Sequence, residues 1–366
     1  MVTFSVTRAP NRVPVETREQ MLAKPGFGQI FSEHMIRITW NREQGWHDGG
    51  LRPYSSLNLD PGTSVLHYAQ AVFEGLKAFR QEDGGIGVFR PDAHAARFRR
   101  SARRLALPEL PEVTFIEAIH MLLRVDGAWV PSAPEHSFYL RPFMFADEVS
   151  LSVHPSDHVT FLLIGSPSGS YFPRGVKPVT VWLSEDFSRA APGGTGAAKT
   201  GGNYAGGLLA QAQAAEKGCD QVVWLDSVEH RWVEEMGGMN LFFVFGTRAK
   251  PLLLTPALTG TLLPGITRDA LLKLGADLGY DVEEGRISTD EWRSGCADGS
   301  LTEVFACGTA AVITPVGAVK SANGSWTVGD GQPGKISMRL RQALVDIQRG
   351  AAPDPHRWMH QVPSAR

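Results

Sequence analysis

Lys199 sits in the middle of the densest glycine cluster of the chain, Gly193-Gly194-Thr195-Gly196-Ala197-Ala198-Lys199-Thr200-Gly201-Gly202-Asn203-Tyr204. Glycines permit backbone conformations that a side chain forbids, and they let a planar or anionic ligand approach the main chain. Two chemistries compete for such a loop. Gly193 followed by Lys199 and Thr200 nearly spells a G-x-x-x-x-G-K-[ST] phosphate loop. Ala198, however, stands where the second glycine is required, and Gly201-Gly202 interrupts the helix that such a loop must open. The other chemistry makes Lys199 a Schiff-base lysine, an amine whose pKa falls on desolvation or beside a cation so that it attacks a carbonyl. A solvated lysine on a glycine-rich surface loop is the plain alternative to both.

Three further segments could serve the same site. Glu234-Glu235 feeds a glycine turn and an apolar run, Met236-Gly237-Gly238-Met239-Asn240-Leu241-Phe242-Phe243; a carboxylate there could hold a protonated ring nitrogen or simply be solvated. In Leu262-Leu263-Pro264-Gly265-Ile266-Thr267-Arg268-Asp269 a turn opens a helix and offers backbone N–H groups to an anion, with Thr267 equally able to be a helix cap. Cys307-Gly308-Thr309-Ala310-Ala311 follows an apolar strand and exposes backbone donors at its end. Metal chemistry has little support: His154/His158 straddle Pro155, and neither that pair nor His356/His360 has an obvious third ligand. No metal is expected. Three cysteines without C-x-x-C spacing argue against a disulfide framework and fit a reducing cytoplasm.

The elements that must position these residues form an α/β pattern. In the first half, a helix capped by Asp92 runs through Leu105 to Pro108 and carries Arg97, Arg99, Arg100, Arg103 and Arg104; a second spans 115–125. Apolar runs at 137–145 and 159–165 predict buried strands, and Pro/Gly-rich 166–176 predicts a linker. The second half predicts strands at 178–183, 221–225, 240–245, 303–306 and 312–319, with helices at 204–217 and 268–278. The tail from 350 to 366 is expected to be poorly ordered.

Composition sets the outer limits. With 366 residues, 43% hydrophobic and 20% charged, the chain is globular and long enough for two domains. A net charge of -2 gives no field for nucleic acid or an anionic membrane, so a small molecule is the expected partner. The N-terminus lacks the apolar core of a signal peptide, and no run approaches the length of a membrane span, so the expected location is the cytoplasm. The 39 glycines exceed the roughly 7% average and are clustered.

The four segments, in this order, resemble the class IV, or fold type IV, pyridoxal-phosphate aminotransferases, and specifically the branched-chain amino-acid aminotransferases, the actinobacterial members most of all. The likeness continues through Leu66-His67-Tyr68, Val72-Phe73-Glu74-Gly75-Leu76-Lys77-Ala78-Phe79, Phe89-Arg90-Pro91, Ser101-Ala102-Arg103-Arg104-Leu105, Tyr139-Leu140-Arg141-Pro142 and Gly169-Ser170-Tyr171-Phe172. It spans about 26–315. The resemblance implies a two-domain D-amino-acid-aminotransferase-like fold with the cofactor at the domain interface: a smaller N-terminal domain (1–172), an interdomain loop (173–184) and a larger C-terminal domain (185–366) carrying the lysine.

It also implies residue roles. Lys199 would bind pyridoxal phosphate as a Schiff base and move the substrate proton. Glu235, rather than Glu234, would face the pyridine nitrogen, and Tyr204 the ring oxygen. Arg97, backbone groups of Ile266 and Thr267, and Thr309 would hold the phosphate. Thr309 and Ala310 would meet the α-carboxylate with Tyr139 nearby and Arg141 in support. Tyr68, Phe73 and Tyr171 would line an apolar side-chain pocket, and Leu151 and Val153 would be lent by the partner subunit of a homodimer. The implied reaction is ping-pong amino transfer between leucine, isoleucine or valine and 2-oxoglutarate, with glutamate as the other amino acid. A D-amino-acid transaminase or aminodeoxychorismate lyase of the same fold is the alternative, disfavoured because those relatives lack the Tyr139-Leu140-Arg141-Pro142 match; a nucleotide hydrolase is more distant. Ala311 and Thr314 stand where mammalian members carry a redox C-x-x-C, which excludes that thiol switch, and Cys307 is expected to be a small buried residue.

Overall fold

The computed structural model describes residues 2–170, 175–247 and 249–363. The chain divides into two compact units, one of Met1–Pro173, Ala198–Gly201 and Asp346–Arg366, the other of Arg174–Ala197 and Gly202–Val345.

The first unit is built on a nine-stranded sheet. Its long middle pair, Ser137–Ala146 and His158–Ser168, runs antiparallel over its whole length, and His34–Asn41 extends it on one side. Leu76–Arg80 and Ile86–Phe89 continue it on the other, while short Ala71–Phe73 pairs with residues 143–145. The helices Pro91–Arg104 and Glu112–Asp126 bury Phe98 and Phe115 against Phe161 of the sheet, with ring centroids 5.4 to 6.4 Å apart. Each such ring contributes about 1.5–3 kcal/mol of burial. The helix that carries Arg97 is therefore fixed by its own apolar face. Its N-cap is Arg90 in the left-handed region, with Pro91 at the first helical position, so Asp92 lies within the first turn and is not the cap. Proline's fixed φ and missing N–H suit that first position.

Two expectations change here. The tail is ordered through most of its length: Met359–Gln361 pairs antiparallel with Ile86–Phe89, and Trp358 packs edge-on against Phe89 and under His356. An unpaired sheet edge and a large ring to bury outweigh the polar composition of 350–363. Lys199 belongs to this first unit, which is also the larger, and not to a C-terminal domain.

The second unit carries another nine-stranded sheet. Val233–Met236 pairs with both Gln221–Leu225 and Met239–Phe245, which closes part of the sheet on itself around Leu241, Phe243, Val304 and Trp292. Val179–Ser184, predicted as a strand over 178–183 by its residues although the resemblance assigned 173–184 to an interdomain loop, is a central strand with parallel neighbours on both sides, as its β-branched and apolar residues allow. The helix expected over 204–217 is two, Gly201–Ala205 and Leu208–Glu216, parted at Gly206-Gly207 where backbone freedom makes continuation costly. Among the described residues, no helix is long and apolar enough to cross a membrane.

Candidate active site

In the first unit the main chain around Lys199 is pinned on both sides. Its carbonyl accepts from Phe73 N–H at 3.0 Å, its N–H donates to Ser101 Oγ at 2.9 Å, and Thr200 Oγ1 donates to the Ala71 carbonyl at 2.8 Å. Strand Ala71–Phe73 and the arginine-bearing helix thus fix the lysine's Cα. The half-buried side chain places Nζ 4.9 Å from the centre of the Phe73 ring. The Arg141 guanidinium lies 4.9 Å from the same ring and 5.3 Å from that of Tyr139, whose hydroxyl accepts from Arg141 Nη2 at 3.1 Å. Lys199, Phe73, Tyr139 and Arg141 therefore form one cluster of amine, guanidinium, phenol and apolar ring. Gly75 completes it: a Cβ there would stand 1.9 Å from the Tyr139 hydroxyl, so only glycine leaves room for the phenol.

Arg97 is almost fully buried, and Glu74 holds it by two parallel bonds, Nε to Oε1 at 2.7 Å and Nη2 to Oε2 at 2.8 Å. His94 Nδ1 lies 2.7 Å from the same Oε2, and Gly75 N–H donates to it at 3.2 Å. Burial pushes the Glu74 pKa up, but the Arg97 and His94 charges and their hydrogen bonds reverse this and leave it well below the usual carboxylate range. Burial holds the His94 pKa down against Glu74, helped by the nearby Arg97 and Lys199 charges. The group sets one carboxylate between an imidazole and a guanidinium. This arrangement fixes the arginine fork in a way that suits an oxyanion ligand.

In the second unit Glu235 is equally buried. Its Oε1 accepts from Leu263 N–H at 2.8 Å and from Asn240 Nδ2 at 3.2 Å, and Arg189 Nε lies 3.0 Å from Oε2. Arg189 is steadied in turn by the carbonyls of Thr261 (2.8 Å) and Gly196 (3.2 Å). A Cβ on Gly196 would come within 2.2 Å of the Thr261 oxygen, so this glycine of the cluster serves packing of the loop on Thr261. Tyr204 and Arg189 line a common cavity of about 170 Å3 with Gly238. Ile266 and Thr267 open the helix Ile266–Asp277, whose N-cap is Gly265 without a side-chain cap, so Thr267 is not the cap. The first-turn N–H groups point out of that end. Thr309 and Ala310 form the half-buried turn between strands Glu303–Gly308 and Val312–Ser321.

Of the remaining residues singled out by sequence, Tyr68, Leu151 and Val153 are exposed. Tyr68 donates its hydroxyl to the Leu151 carbonyl on the surface of the first unit, where Leu151 and Val153 are among its most exposed apolar side chains. Tyr171 lies outside the described residues. Five residues were missed: Glu74, His94, Ser101, Arg189 and Asn240. His94 and Arg97 stand three apart on one helix face, a spacing that could have flagged His94. Arg189 has no sequence signal.

The family model for amino-transferase class IV matches residues 71–319. The chain is 56% identical to the "Probable branched-chain-amino-acid aminotransferase" of Streptomyces coelicolor, covering 98% of this chain and 99% of that one. It is 58% identical to the "Branched-chain-amino-acid aminotransferase" of Mycolicibacterium smegmatis, covering 97% of each. Among solved structures, the T.th. branched-chain amino acid aminotransferase with pyridoxamine 5'-phosphate superposes with a TM-score of 0.75 at 28% identity, over 92% of this chain and all of that one.

Proposed function

Because the chain belongs to the class IV amino-transferase family, we propose that it is a pyridoxal-phosphate-dependent branched-chain amino-acid transaminase with Lys199 as its catalytic residue. The observation that carries the reading is the pinned Lys199, with its amine over Phe73, in the same unit as a buried arginine whose fork is fixed by Glu74. The donor set fits the cofactor: an amine for its aldehyde, a guanidinium and helix-end N–H groups for its phosphate, and a buried carboxylate for its ring nitrogen. When bound, pyridoxal phosphate supplies an electrophilic carbon and an electron sink for the electrons of the substrate's Cα–H bond.

The chain's residues do the rest. Lys199 would hold the cofactor through its amine and would move the proton at the substrate Cα. Glu235, oriented by Leu263 and Asn240, keeps the proton on the ring nitrogen, and Tyr204 donates to the ring oxygen. Arg97, the N–H groups of Ile266 and Thr267, and Thr309 hold the phosphate. Thr309 and Ala310 N–H groups take the α-carboxylate, with Tyr139 and Arg141 beside it, and Phe73, Tyr68 and Tyr171 surround a branched side chain. The exposed Leu151 and Val153 support a homodimer in which they reach the partner's substrate. The amino acceptor is 2-oxoglutarate, and the cytoplasm is the proposed location.

The test is direct. Purified protein given pyridoxal phosphate turns yellow, borohydride fixes the cofactor on Lys199 by peptide mapping, and L-leucine with 2-oxoglutarate yields glutamate. Lys199→Ala loses turnover by about 10⁴-fold or more. A protein that stays colourless, or turns over D-alanine alone, overturns the assignment.

A further inference from the structure

The helix Pro91–Arg104 brings His94, Arg97 and Ser101 to one face, since positions three and seven apart lie together on a helix. All three are buried, and each holds something the site needs: His94 and Arg97 meet Glu74, and Ser101 accepts the Lys199 N–H. A helix completes a turn in about 3.6 residues, so the point at which this one starts decides which face it turns to Glu74 and Lys199. It starts at Arg90, whose backbone is left-handed (φ 49°, ψ 48°) and whose side chain makes no cap. A non-glycine residue keeps that conformation only where its surroundings over-determine it. Here those surroundings are the C-terminal tail. Arg90 N–H donates to the Trp358 carbonyl at 2.7 Å, and the Arg90 guanidinium lies 5.7 Å from the centre of the Trp358 ring.

We propose that Trp358 is a positioning residue for the reaction: residues 354–362 form a strap that sets the start of the helix Pro91–Arg104 and so aims the Arg97 fork, a role that rests on the phosphate-holding function assigned to Arg97. The strap is held before, at and after the tryptophan. Before it, the Gln348 carbonyl accepts from Gln81 Nε2 at 2.7 Å, and Arg349 Nη2 donates to the Ser132 carbonyl at 2.8 Å. Asp354 then makes the turn that delivers the ring, its Oδ2 accepting from Met359 N–H at 2.8 Å and its carbonyl from Arg357 N–H at 3.2 Å. The Trp358 ring is 4% exposed, with Phe89 edge-on at 5.9 Å and His356 stacked on it at 4.5 Å. After it, Met359–Gln361 pairs with Ile86–Phe89, and Val362 N–H donates to the Ile86 carbonyl at 2.8 Å.

A continuous run of bonds leads from the strap to the arginine. The Arg90 peptide that donates to Trp358 accepts, through its carbonyl, from His94 N–H at 3.2 Å; the His94 ring meets Glu74, and Glu74 holds both arms of the Arg97 fork. The partly exposed pair of His360 Nε2 and Asp92 Oδ1, 3.5 Å apart, ties the strap to the first helical turn a second time. Burial of a large ring by itself would stabilise the first unit as a whole. The left-handed Arg90 makes the effect local, because without the tail nothing in the cap itself favours that backbone over one that starts the helix elsewhere.

Full-length Trp358→Ala, Trp358→Leu and Trp358→Phe are compared with wild type in two ways. Amide hydrogen exchange of the apoprotein, followed by mass spectrometry, reads the helix without any cofactor. We expect peptides covering 91–104 to exchange about tenfold faster in Trp358→Ala, while those covering 112–126, the helix packed beside it, keep their rate. Absorbance titration with pyridoxal phosphate should show affinity falling about tenfold, the worth of one charge-assisted hydrogen bond, with a smaller change in kcat at saturating cofactor. Trp358→Phe, which keeps a ring beside Arg90 and Phe89, restores both. Trp358→Leu keeps the place filled without an aromatic face; it shows the same local pattern and decides the matter if the alanine variant does not fold. Equal acceleration over 91–104 and 112–126 is plain loss of stability and overturns the positioning role, and local loosening with unchanged cofactor affinity overturns the link to Arg97. Exchange is read without cofactor, so a wild type that takes up no pyridoxal phosphate while its Trp358→Leu variant loosens 91–104 alone refutes the transaminase assignment and leaves the hold of the tail on the helix standing.

Discussion

Each unit buries one glutamate against one arginine, and the two pairs divide the work in opposite ways. Glu74 gives both oxygens to Arg97 in a parallel fork and takes His94 and Gly75 N–H besides, so its acceptor capacity goes to protein donors. Glu235 receives Arg189 through Nε on one oxygen, while Arg189 directs Nη1 to two backbone carbonyls. On the proposed function, the carboxylate of the first pair is the support and the guanidinium the working group, and in the second the arginine is the support and the carboxylate works. A buried ion pair is weak evidence of stabilisation in itself, and its geometry tells which partner is being positioned.

If that division is right, Glu235→Gln has the largest effect on the rate. It keeps the shape and the Leu263 bond but removes the charge that holds a proton on the ring nitrogen. We expect kcat with L-leucine and 2-oxoglutarate to fall about 10²–10³-fold, the range seen when one preorganised electrostatic partner is removed. Cofactor affinity, measured by absorbance titration of the apoprotein, should change little. A variant that retained kcat and lost cofactor would reverse the roles assigned to the two glutamates.

Glu74→Gln should do the opposite and less. It loosens the Arg97 fork, so cofactor affinity falls about tenfold, the worth of one charge-assisted hydrogen bond, with kcat at saturating cofactor close to wild type. Removing one partner of a buried pair also costs about 3–5 kcal/mol of stability at neutral pH. The pH dependence has a fixed sign. The folded-state Glu74 pKa lies below its unfolded value, so between the two the unfolded chain binds more protons. This contribution is full above the ordinary carboxylate range and is lost as pH falls through that range toward the lower, folded value. Denaturant melts at pH 7 and pH 3 should therefore show the wild-type advantage over Glu74→Gln shrinking in acid. An unchanged gap would mean that Glu74 is not ionised in the fold.

The difference between the units also explains what the sequence could disclose. Lys199, Glu235, Ile266-Thr267 and Thr309 stand in segments whose order carried the resemblance to class IV aminotransferases, and the strands at 137–145, 159–165, 221–225 and 240–245 are apolar runs of strand length that fold as expected. What escaped was support. Arg189 lies in a stretch without periodicity and meets Glu235 only through the fold, and Ser101 reaches Lys199 N–H across nearly a hundred residues. Contacts of that separation leave no local pattern. The paired tail escaped for a related reason: it is defined by a distant sheet edge that it completes.

The thiols bound the comparison from the side of no effect. All three cysteines lie in the second unit, and Cys307 sits opposite Asn240 in the strand pair that orients Glu235. Burial raises its pKa far above the usual thiol range despite the nearby Arg268 charge. Burial, with Asp298, pushes Cys296 up to about 11, and burial raises Cys219 as well. The thiolate is the reactive species, so at neutral pH all three should resist alkylation. Incubation of the native protein with iodoacetamide is expected to leave transaminase activity unchanged, and intact-mass measurement should find Cys307 unmodified until denaturant opens its sheet. Labelling of Cys307 therefore marks opening of the strand pair that holds Asn240, and activity should disappear along the same denaturant curve. Rapid modification of Cys307 in buffer would show that the surroundings of Glu235 open far more readily than its buried hydrogen bonds imply, and the contrast with a rigid, fully bonded Glu74 would then be one of mobility as well as of role.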